Sequence, residues 1–175
     1  MVRRISKTWW VAAVLLLLSG WSSLKALTIE ELRDVPNPTP KNVASYFADF
    51  KFVFHAEVQD PNVFLGTKSG DCDDYAIVVV DVLGRHGYTT HLIAIRMKGE
   101  THVVCYIDEV HGYLDYNCRK DENPVVDCNN SIVDIARKVA QSFNRDWVAT
   151  YEFSYSQGTK RLVNNIVPNK SAKTS

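Results

Sequence analysis

Cys72, His102 and Asp115 have side chains that together could attack a carbonyl carbon. A thiolate is a strong nucleophile, an imidazole beside it takes and returns a proton, and a carboxylate on the second ring nitrogen fixes the orientation of the imidazole. The dipole and the unpaired N–H groups of a helix N-terminus would further favour the anionic sulfur of Cys72. These residue types therefore indicate thiol-dependent acyl transfer, on the condition that the fold brings them together.

Residues 72–86 are predicted to form the helix that carries Cys72. Apolar residues recur there at helical spacing, a Gly-Asp pair and a glycine flank the two ends, and the segment is longer than a usual strand. The β-branched run at 77–80 favours a strand by propensity, but the length of the whole segment favours a helix. Because apolar residues surround nearly the whole helix, we expect it to be buried.

Alternating apolar residues predict strands at 88–97, 101–108, 112–116 and 147–155, and helical spacing predicts a second helix at 131–143. Short links between the first three strands imply antiparallel neighbours. In one register His102 lies directly opposite Asp115, and in the register shifted by two residues Asp115 is its diagonal neighbour on the same face. The registers between these two would put the residues on opposite faces.

Four short strings carry a resemblance to a known family: SGDCDDYA at 69–76, GY at 87–88, THVV at 101–104 and YLDYN at 113–117. They are similar to motifs of the transglutaminase-like superfamily, in particular of its bacterial exported cysteine proteinases, over about residues 59–117. The resemblance implies a papain-like α+β core, in which a buried helix with the Cys packs on an antiparallel sheet with the His and Asp. It also implies that Cys72 is the nucleophile, His102 the base and acid, and Asp115 the group that orients the imidazole.

The resemblance leaves three functions open. Superfamily members hydrolyse peptide bonds, cross-link glutamine to amines, or have lost activity, so the fold does not define one reaction. The leading hypothesis is a thiol-dependent hydrolase, a cysteine peptidase that forms a thioester acyl-enzyme with a protein or peptide substrate. The alternatives are a transglutaminase-type acyl transferase and a non-catalytic exported binding domain of the same fold. No cofactor is required for this chemistry.

Residues 1–26 have the layout of a secretory signal peptide. A basic start precedes an apolar run from Trp9 to Leu18, and a stretch of small residues ends at Ala26, where we expect cleavage. The apolar run is shorter than the roughly 20 residues that a membrane-spanning helix needs, so an uncleaved anchor is only the alternative. The leader predicts a periplasmic or secreted protein, with membrane association only if the leader is retained.

The charge balance gives no sign of a nucleic-acid partner. The chain has 20 Lys plus Arg and 20 Asp plus Glu, and because the leader holds basic residues but no acid, the mature chain is acidic. Nucleic-acid binding needs a basic patch that neutralises phosphates, and the sequence contains none. With 46% of its residues apolar, the chain should fold.

The mature chain has the length of one domain. A short helical candidate at 28–33 and a proline-rich spacer form an N-terminal extension at 27–41. The transglutaminase-like domain is expected at 42–167, beginning with a helix capped by Asn42. Residues 168–175 are expected to form a flexible tail.

Asp71, Asp73 and Asp74 place three carboxylates around the thiol of Cys72, whose anion they should destabilise. One interpretation is that they are helix-start acids, which the helix dipole favours. The alternative is a structural calcium ion, a hard cation that prefers oxygen ligands and would cancel the repulsion. The family resemblance also implies this alternative, because some exported proteinases bind calcium with the carboxylates that flank the cysteine.

A developing oxyanion needs donors near the sulfur. The backbone N–H of Cys72 is one natural donor, and a side-chain amide upstream would be the other, with Gln59 and Asn62 as candidates. Both could equally be solvated loop residues.

Cys118 and Cys128 lie in a polar stretch interrupted by a proline, and they are candidates for a short-loop disulfide. Cys105 lies within an apolar strand pattern and is expected to be a buried thiol. That pairing would leave Cys72 free.

Overall fold

A buried helix crosses one face of an antiparallel sheet in the computed structural model, which describes residues 27–169. The helices are α1 (Ile29–Arg33), α2 (Pro40–Ser45), α3 (Pro61–Thr67), α4 (Cys72–Arg85) and α5 (Ile132–Ser142), with 3-10 helices at Asp108–Val110 and Tyr116–Cys118. The strands are β1 (Lys51–Phe52), β2 (Ser69–Gly70), β3 (Thr90–Met97), β4 (Glu100–Ile107), β5 (Gly112–Leu114), β6 (Val125–Asp127), β7 (Trp147–Ser156), β8 (Thr159–Leu162) and β9 (Val167–Pro168). No helix within these residues is long and apolar enough to cross a membrane. The predicted signal peptide at 1–26 lies outside the described residues.

The main sheet has the strand order β6-β5-β4-β3-β7-β8, with β9 paired to β7, and its neighbouring strands are antiparallel. A small parallel pair, β1 with β2, lies apart from it. Apolar side chains of α4 pack on one face of the main sheet and those of α5 on the other. The predicted α+β fold is confirmed, because the Cys72 helix packs on an antiparallel sheet that carries His102 on β4 and Asp115 directly after β5.

The helix predicted at 72–86 is confirmed as α4, and its first turn is closed by side chains. The Asp71 carboxylate accepts a hydrogen bond from the backbone N–H of Asp73, and the Asp74 carboxylate accepts one from the backbone N–H of Asp71. Such a reciprocal capping box satisfies donors that the helix itself leaves free, and one cap contributes about 1 kcal/mol. The capping box therefore fixes Cys72 at the first position of a buried helix.

The strand register decides the relation between His102 and Asp115. Cys105 pairs with Leu114 and Tyr106 with Tyr113, so His102 and Asp115 are diagonal neighbours on one face. This is the second of the two registers that the sequence allows. The same register places Cys105 and Leu114 in the core against α4, as predicted.

The N-terminal extension is part of the folded domain. The helix predicted at 28–33 is confirmed as α1, and its Leu32 is buried in the core. The prediction that Asn42 caps the next helix is wrong, because α2 begins at Pro40 and its cap is Thr39. A proline suits the first helical position, where its missing N–H has no helical partner to lose.

The first residues of the predicted tail are held on the sheet. Pro168 pairs with Ala149 of β7, and the N–H of Asn169 donates to the Val148 carbonyl at 2.8 Å. These contacts correct the prediction of a flexible tail at 168 and 169. The rest of that segment, 170–175, lies outside the described residues.

Candidate active site

Cys72, His102 and Asp115 come together at the N-terminal end of α4. His102 Nε2 lies 2.9 Å from Asp115 Oδ1, and Cys72 lines the same cleft as His102. His102 and Asp115 are only 6% and 2% exposed, whereas Cys72 is partly exposed. The sulfur is thus accessible to a substrate, while the imidazole and carboxylate that support it are shielded from water.

His102 is held in its charged form by its neighbours. Burial opposes a charge on the ring, but the hydrogen bonds to Asp115 and Cys72 and the negative charges of both outweigh it and raise the pKa of His102 to about 10. The ring of Phe143 packs against the imidazole, with ring centroids 4.8 Å apart. The charged ring is an acid that can give its proton to a leaving group.

The charged state of His102 leads to a prediction for its titration. Asp115→Asn is expected to lower the pKa of His102 by more than Cys72→Ala does, because Asp115 makes the stronger hydrogen bond to the ring. NMR titration of the ring protons measures both. The pKa of His102 is raised from 6.5 to about 10 in the folded protein. Its contribution to the free energy of unfolding is therefore fully present below pH 6.5 and is lost as the pH rises through 10. Asp115→Asn should not show this loss, and an unchanged pKa in both variants would contradict the geometry.

The side chains of Asp115 and Arg119 hold their segment in place through hydrogen bonds to backbone groups. Asp115 Oδ1 also accepts the N–H of Asn117 at 2.8 Å and so caps the 3-10 helix that follows. The buried guanidinium of Arg119 donates to the carbonyls of Phe47 at 2.9 Å, Tyr116 at 2.6 Å, and Phe50. It also lies over the ring of Tyr116, 3.8 Å from the centroid. Arg119 thereby fastens the chain before β1 to the segment that carries Asp115.

Asp71 and Asp74 have structural partners on the loop before α3. Asp71 Oδ2 accepts the backbone N–H of His55 at 2.9 Å, and Asp74 Oδ1 accepts that of Gln59 at 2.7 Å. With the capping box, these contacts support the interpretation of both residues as helix-start acids. They also hold the loop that carries His55 against the end of α4.

The three carboxylates also form a compact cluster that could hold a cation. Asp71, Asp73 and Asp74 each offer an oxygen within 4.8 Å of the others. Burial, with the nearby Asp73 and Asp74, raises the pKa of Asp71 to about 6. Asp73 Oδ2 lies 2.6 Å from Nζ of Lys160, but Asp73 Oδ1 is buried and has no hydrogen-bond partner within residues 27–169. An oxygen without a partner in an acidic cluster fits a hard cation.

The two amides that were predicted as oxyanion donors both lie outside the cleft at Cys72. Gln59 Nε2 donates to the Ser69 carbonyl at 3.0 Å and to Asp74 Oδ2 at 2.7 Å. Asn62 Oδ1 accepts the N–H of Ile29 at 2.9 Å. Neither residue lines the cleft at Cys72, so the structure corrects this prediction. Asn62 instead contacts α1, and Gln59 contacts the first turn of α4.

The predicted disulfide is also corrected, because Cys118 and Cys128 are both free thiols. Cys128 donates its N–H to the His111 carbonyl at 2.9 Å, just before β5 begins. Cys118 lies past the other end of β5, so the strand separates the two sulfurs. Cys105 is a fully buried free thiol, as predicted.

Cys72 and His102 line an open cleft of about 950 Å³. Its polar lining includes Asn117, Thr101 and Lys160, none of which was predicted from the sequence to be a site residue. Asn117 belongs to the YLDYN string and could have been noticed there. Lys160 could not, because its partner Asp73 is 87 positions away in the chain.

Comparison with known proteins adds a distant structural similarity. No family model matches the chain, and no curated protein matches it. Among solved structures, the chain is similar to calcium-bound LapG of Legionella pneumophila, with 14% identity and a TM-score of 0.46 over 82% of this chain and 78% of that chain. At this level of similarity no property of LapG is transferred to this chain.

Proposed function

We propose that this protein is a thiol-dependent hydrolase, a cysteine peptidase with Cys72 as its nucleophile. The main support is the 2.9 Å contact between His102 Nε2 and Asp115 Oδ1 at the cleft that Cys72 also lines. A buried imidazole that is oriented by a carboxylate, in the same cleft as a partly exposed thiol, is the arrangement that nucleophilic catalysis by sulfur requires.

The reaction has two steps, acylation of Cys72 and hydrolysis of the thioester. The thiolate of Cys72 forms a C–S bond to the peptide carbonyl, the oxyanion collapses, and the C–N bond breaks as His102 gives its proton to the leaving amine. Water then attacks the thioester while His102 takes a proton from it, and the carboxylate product leaves as the thiolate returns. Asp115 keeps the imidazole oriented in both steps.

The cleft supplies several donors for the oxyanion. The backbone N–H of Cys72, the Asn117 amide and the His55 imidazole belong to residues that line it. His55 Nε2 is buried and lacks a hydrogen-bond partner in the described part of the chain. The Asn117 amide and the His55 imidazole take the place of the Gln59 and Asn62 amides beside the Cys72 N–H.

Water access favours hydrolysis over transfer to an amine. Cys72 is partly exposed and the cleft is wide and open, so water reaches a thioester formed there. The test is a mass-spectrometric assay of a peptide mixture that includes a glutamine peptide and a labelled amine. We expect cleaved peptides, no amine adduct, and no reaction with Cys72→Ala. Amine adducts without cleavage would identify an acyl transferase, and no product from any peptide would support a binding domain.

The protein is proposed to act in the periplasm or outside the cell on a protein or peptide. Support comes from the leader at 1–26, with its basic start and short apolar run. Sequencing the N-terminus of the protein recovered from the exported fraction should yield Leu27. Recovery of the protein only from the cytoplasm, with the leader intact, would contradict export.

A structural calcium ion is proposed at Asp71, Asp73 and Asp74. The unpartnered oxygen of Asp73 and the mutual proximity of the three carboxylates support it. When bound, the ion would offset the negative charge beside Cys72 and stabilise the end of α4. It takes no part in the covalent steps.

Thermal unfolding with calcium and with a chelator tests this ion. At a calcium concentration of about 100 Kd, the gain in the free energy of unfolding is about 2.7 kcal/mol, or roughly 5 to 10 °C for a domain of this size. Asp73→Asn should remove most of the gain. Asp49→Asn is the matched control, since Asp49 pairs with Lys68 at the same 2.6 Å but far from the cluster. Identical melting curves for the wild type with and without calcium would contradict a calcium site at these carboxylates.

A further inference from the structure

Two exposed phenyl rings stand at the cleft that contains Cys72. Phe52 is 60% exposed and Phe54 is 75% exposed, and both line this cleft. A single exposed apolar residue is common on protein surfaces. Two aromatic rings beside the apolar part of a cleft are a different observation, because contiguous exposed apolar surface marks a binding region.

The backbone around Phe54 is fixed on both sides. The N–H of Val53 donates to the Gly70 carbonyl at 2.9 Å, and the N–H of His55 donates to Asp71 Oδ2 at 2.9 Å. These anchors lie directly before α4, so the segment is attached to the helix end that presents Cys72. The ring of Phe54 is thus kept at the surface by its own backbone, and a ligand that covers it meets a preorganised wall.

Phe52 is positioned in a similar way. Its ring lies edge-on to the buried ring of Tyr116, with centroids 6.0 Å apart, and its strand β1 pairs with β2. Tyr116 directly follows Asp115, so both phenyl rings are joined to elements that carry the catalytic candidates.

The segment that carries these rings contributes no Lys, Arg, Asp or Glu to the lining of the cleft. His55 and Ala56 complete the part contributed by that segment, while the charged neighbours Lys51 and Glu57 do not line the cleft. Apolar side chains supply much of the remaining wall: Ala94, Met97, Val103, Phe143, Tyr151 and Phe153. An apolar group that covers the two phenyl rings would be stabilised by leaving water, whereas the charged part of the lining, Asp73, Arg96, Glu100 and Lys160, leaves the rest of the cleft to polar groups.

We propose that Phe52 and Phe54 form the wall of a subsite that takes a large apolar side chain, aliphatic or aromatic, of the peptide that Cys72 attacks. The inference rests on the proposed peptidase function and specifies its substrate class. The two rings are specificity-determining residues and take no part in bond making or breaking.

The experiment compares peptidyl chloromethyl ketones that share one backbone and carry Phe, Leu or Gly at each of the two residues before the electrophile. Intact-protein mass spectrometry measures their rates of alkylation at Cys72, and iodoacetamide reports the reactivity of the thiol alone. Wild-type protein is expected to react at least about tenfold faster with the Phe or Leu probe than with the Gly probe at one of these positions. Phe54→Ala and Phe52→Ala should reduce this ratio severalfold at unchanged iodoacetamide rate.

Ile166→Ala is the matched control, because Ile166 is also a large exposed apolar residue but lies outside the cleft. It should keep the full preference. Equal rates for the Phe, Leu and Gly probes in the wild type, or a preference that survives both Phe variants, would overturn the subsite while iodoacetamide still labels Cys72. Failure of iodoacetamide to label Cys72 in the folded wild type would instead overturn the proposed function, so the two failures are distinguishable.

Discussion

Asp115→Asn is expected to lower kcat/KM for peptide cleavage by roughly 10⁴-fold. The buried carboxylate of Asp115 is the acceptor that faces His102 Nε2 at 2.9 Å. An amide in its place can present a donor to that nitrogen, which would favour the wrong tautomer of the ring and remove the charge that stabilises imidazolium. The same Oδ1 accepts the N–H of Asn117, so an amide that turns its NH2 group toward His102 also gives up this cap of the 3-10 helix.

The measurement is steady-state cleavage of a peptide substrate, with circular dichroism to verify the fold. Asp127→Asn is the control, since Asp127 lies on β6 of the same sheet and is exposed. It should retain nearly full activity. A folded Asp115→Asn protein with less than about a tenfold loss would show that this carboxylate does not orient the catalytic imidazole.

Arg119→Ala is expected to lower the free energy of unfolding by about 3 kcal/mol or more. The guanidinium serves three backbone carbonyls, those of Phe47, Phe50 and Tyr116. Removing it leaves buried acceptors without donors, each at a cost of about 1 to 3 kcal/mol. Arg119→Lys should recover only part of the loss, because an ammonium cannot match the planar fork of donors.

Urea unfolding followed by fluorescence measures these differences. Arg85→Ala is the control, because Arg85 lies exposed near the end of α4 and its contact with Asp81 is 3.5 Å long. The control should change the free energy of unfolding by no more than about 0.5 kcal/mol. An equally small effect of Arg119→Ala would mean that water satisfies these carbonyls and that Arg119 does not hold the site together.

Local patterns in the sequence predict the elements that present the site. The helical spacing of residues 72–86 and the flanking turn residues lead directly to α4, with Cys72 at its first turn. Strand alternation restricts His102 and Asp115 to registers that share a face, and one of these is observed. These predictions succeed because they depend on periodicity and on neighbours close in the chain.

Long-range partners are the part that could not be predicted. Nothing near Arg119 distinguishes it from a solvated arginine, since Phe47 lies 72 positions away. Gln59 has the right residue type for an oxyanion donor, but its amide is taken by Ser69 and Asp74 once the loop packs against α4. Which donor or acceptor a polar side chain finds depends on the folded backbone, not on its local sequence.

The rate of alkylation of Cys72 in the folded protein is the most direct measure of an activated nucleophile, and Cys118 provides an internal reference. Both thiols are partly exposed, but burial, with the charges of Asp115 and Asp121, raises the pKa of Cys118 to about 11. Site-resolved mass spectrometry after a short iodoacetamide pulse at neutral pH should show Cys72 reacting about tenfold faster or more. Equal labelling of the two cysteines, or labelling of Cys72 only after unfolding, would contradict an activated nucleophile.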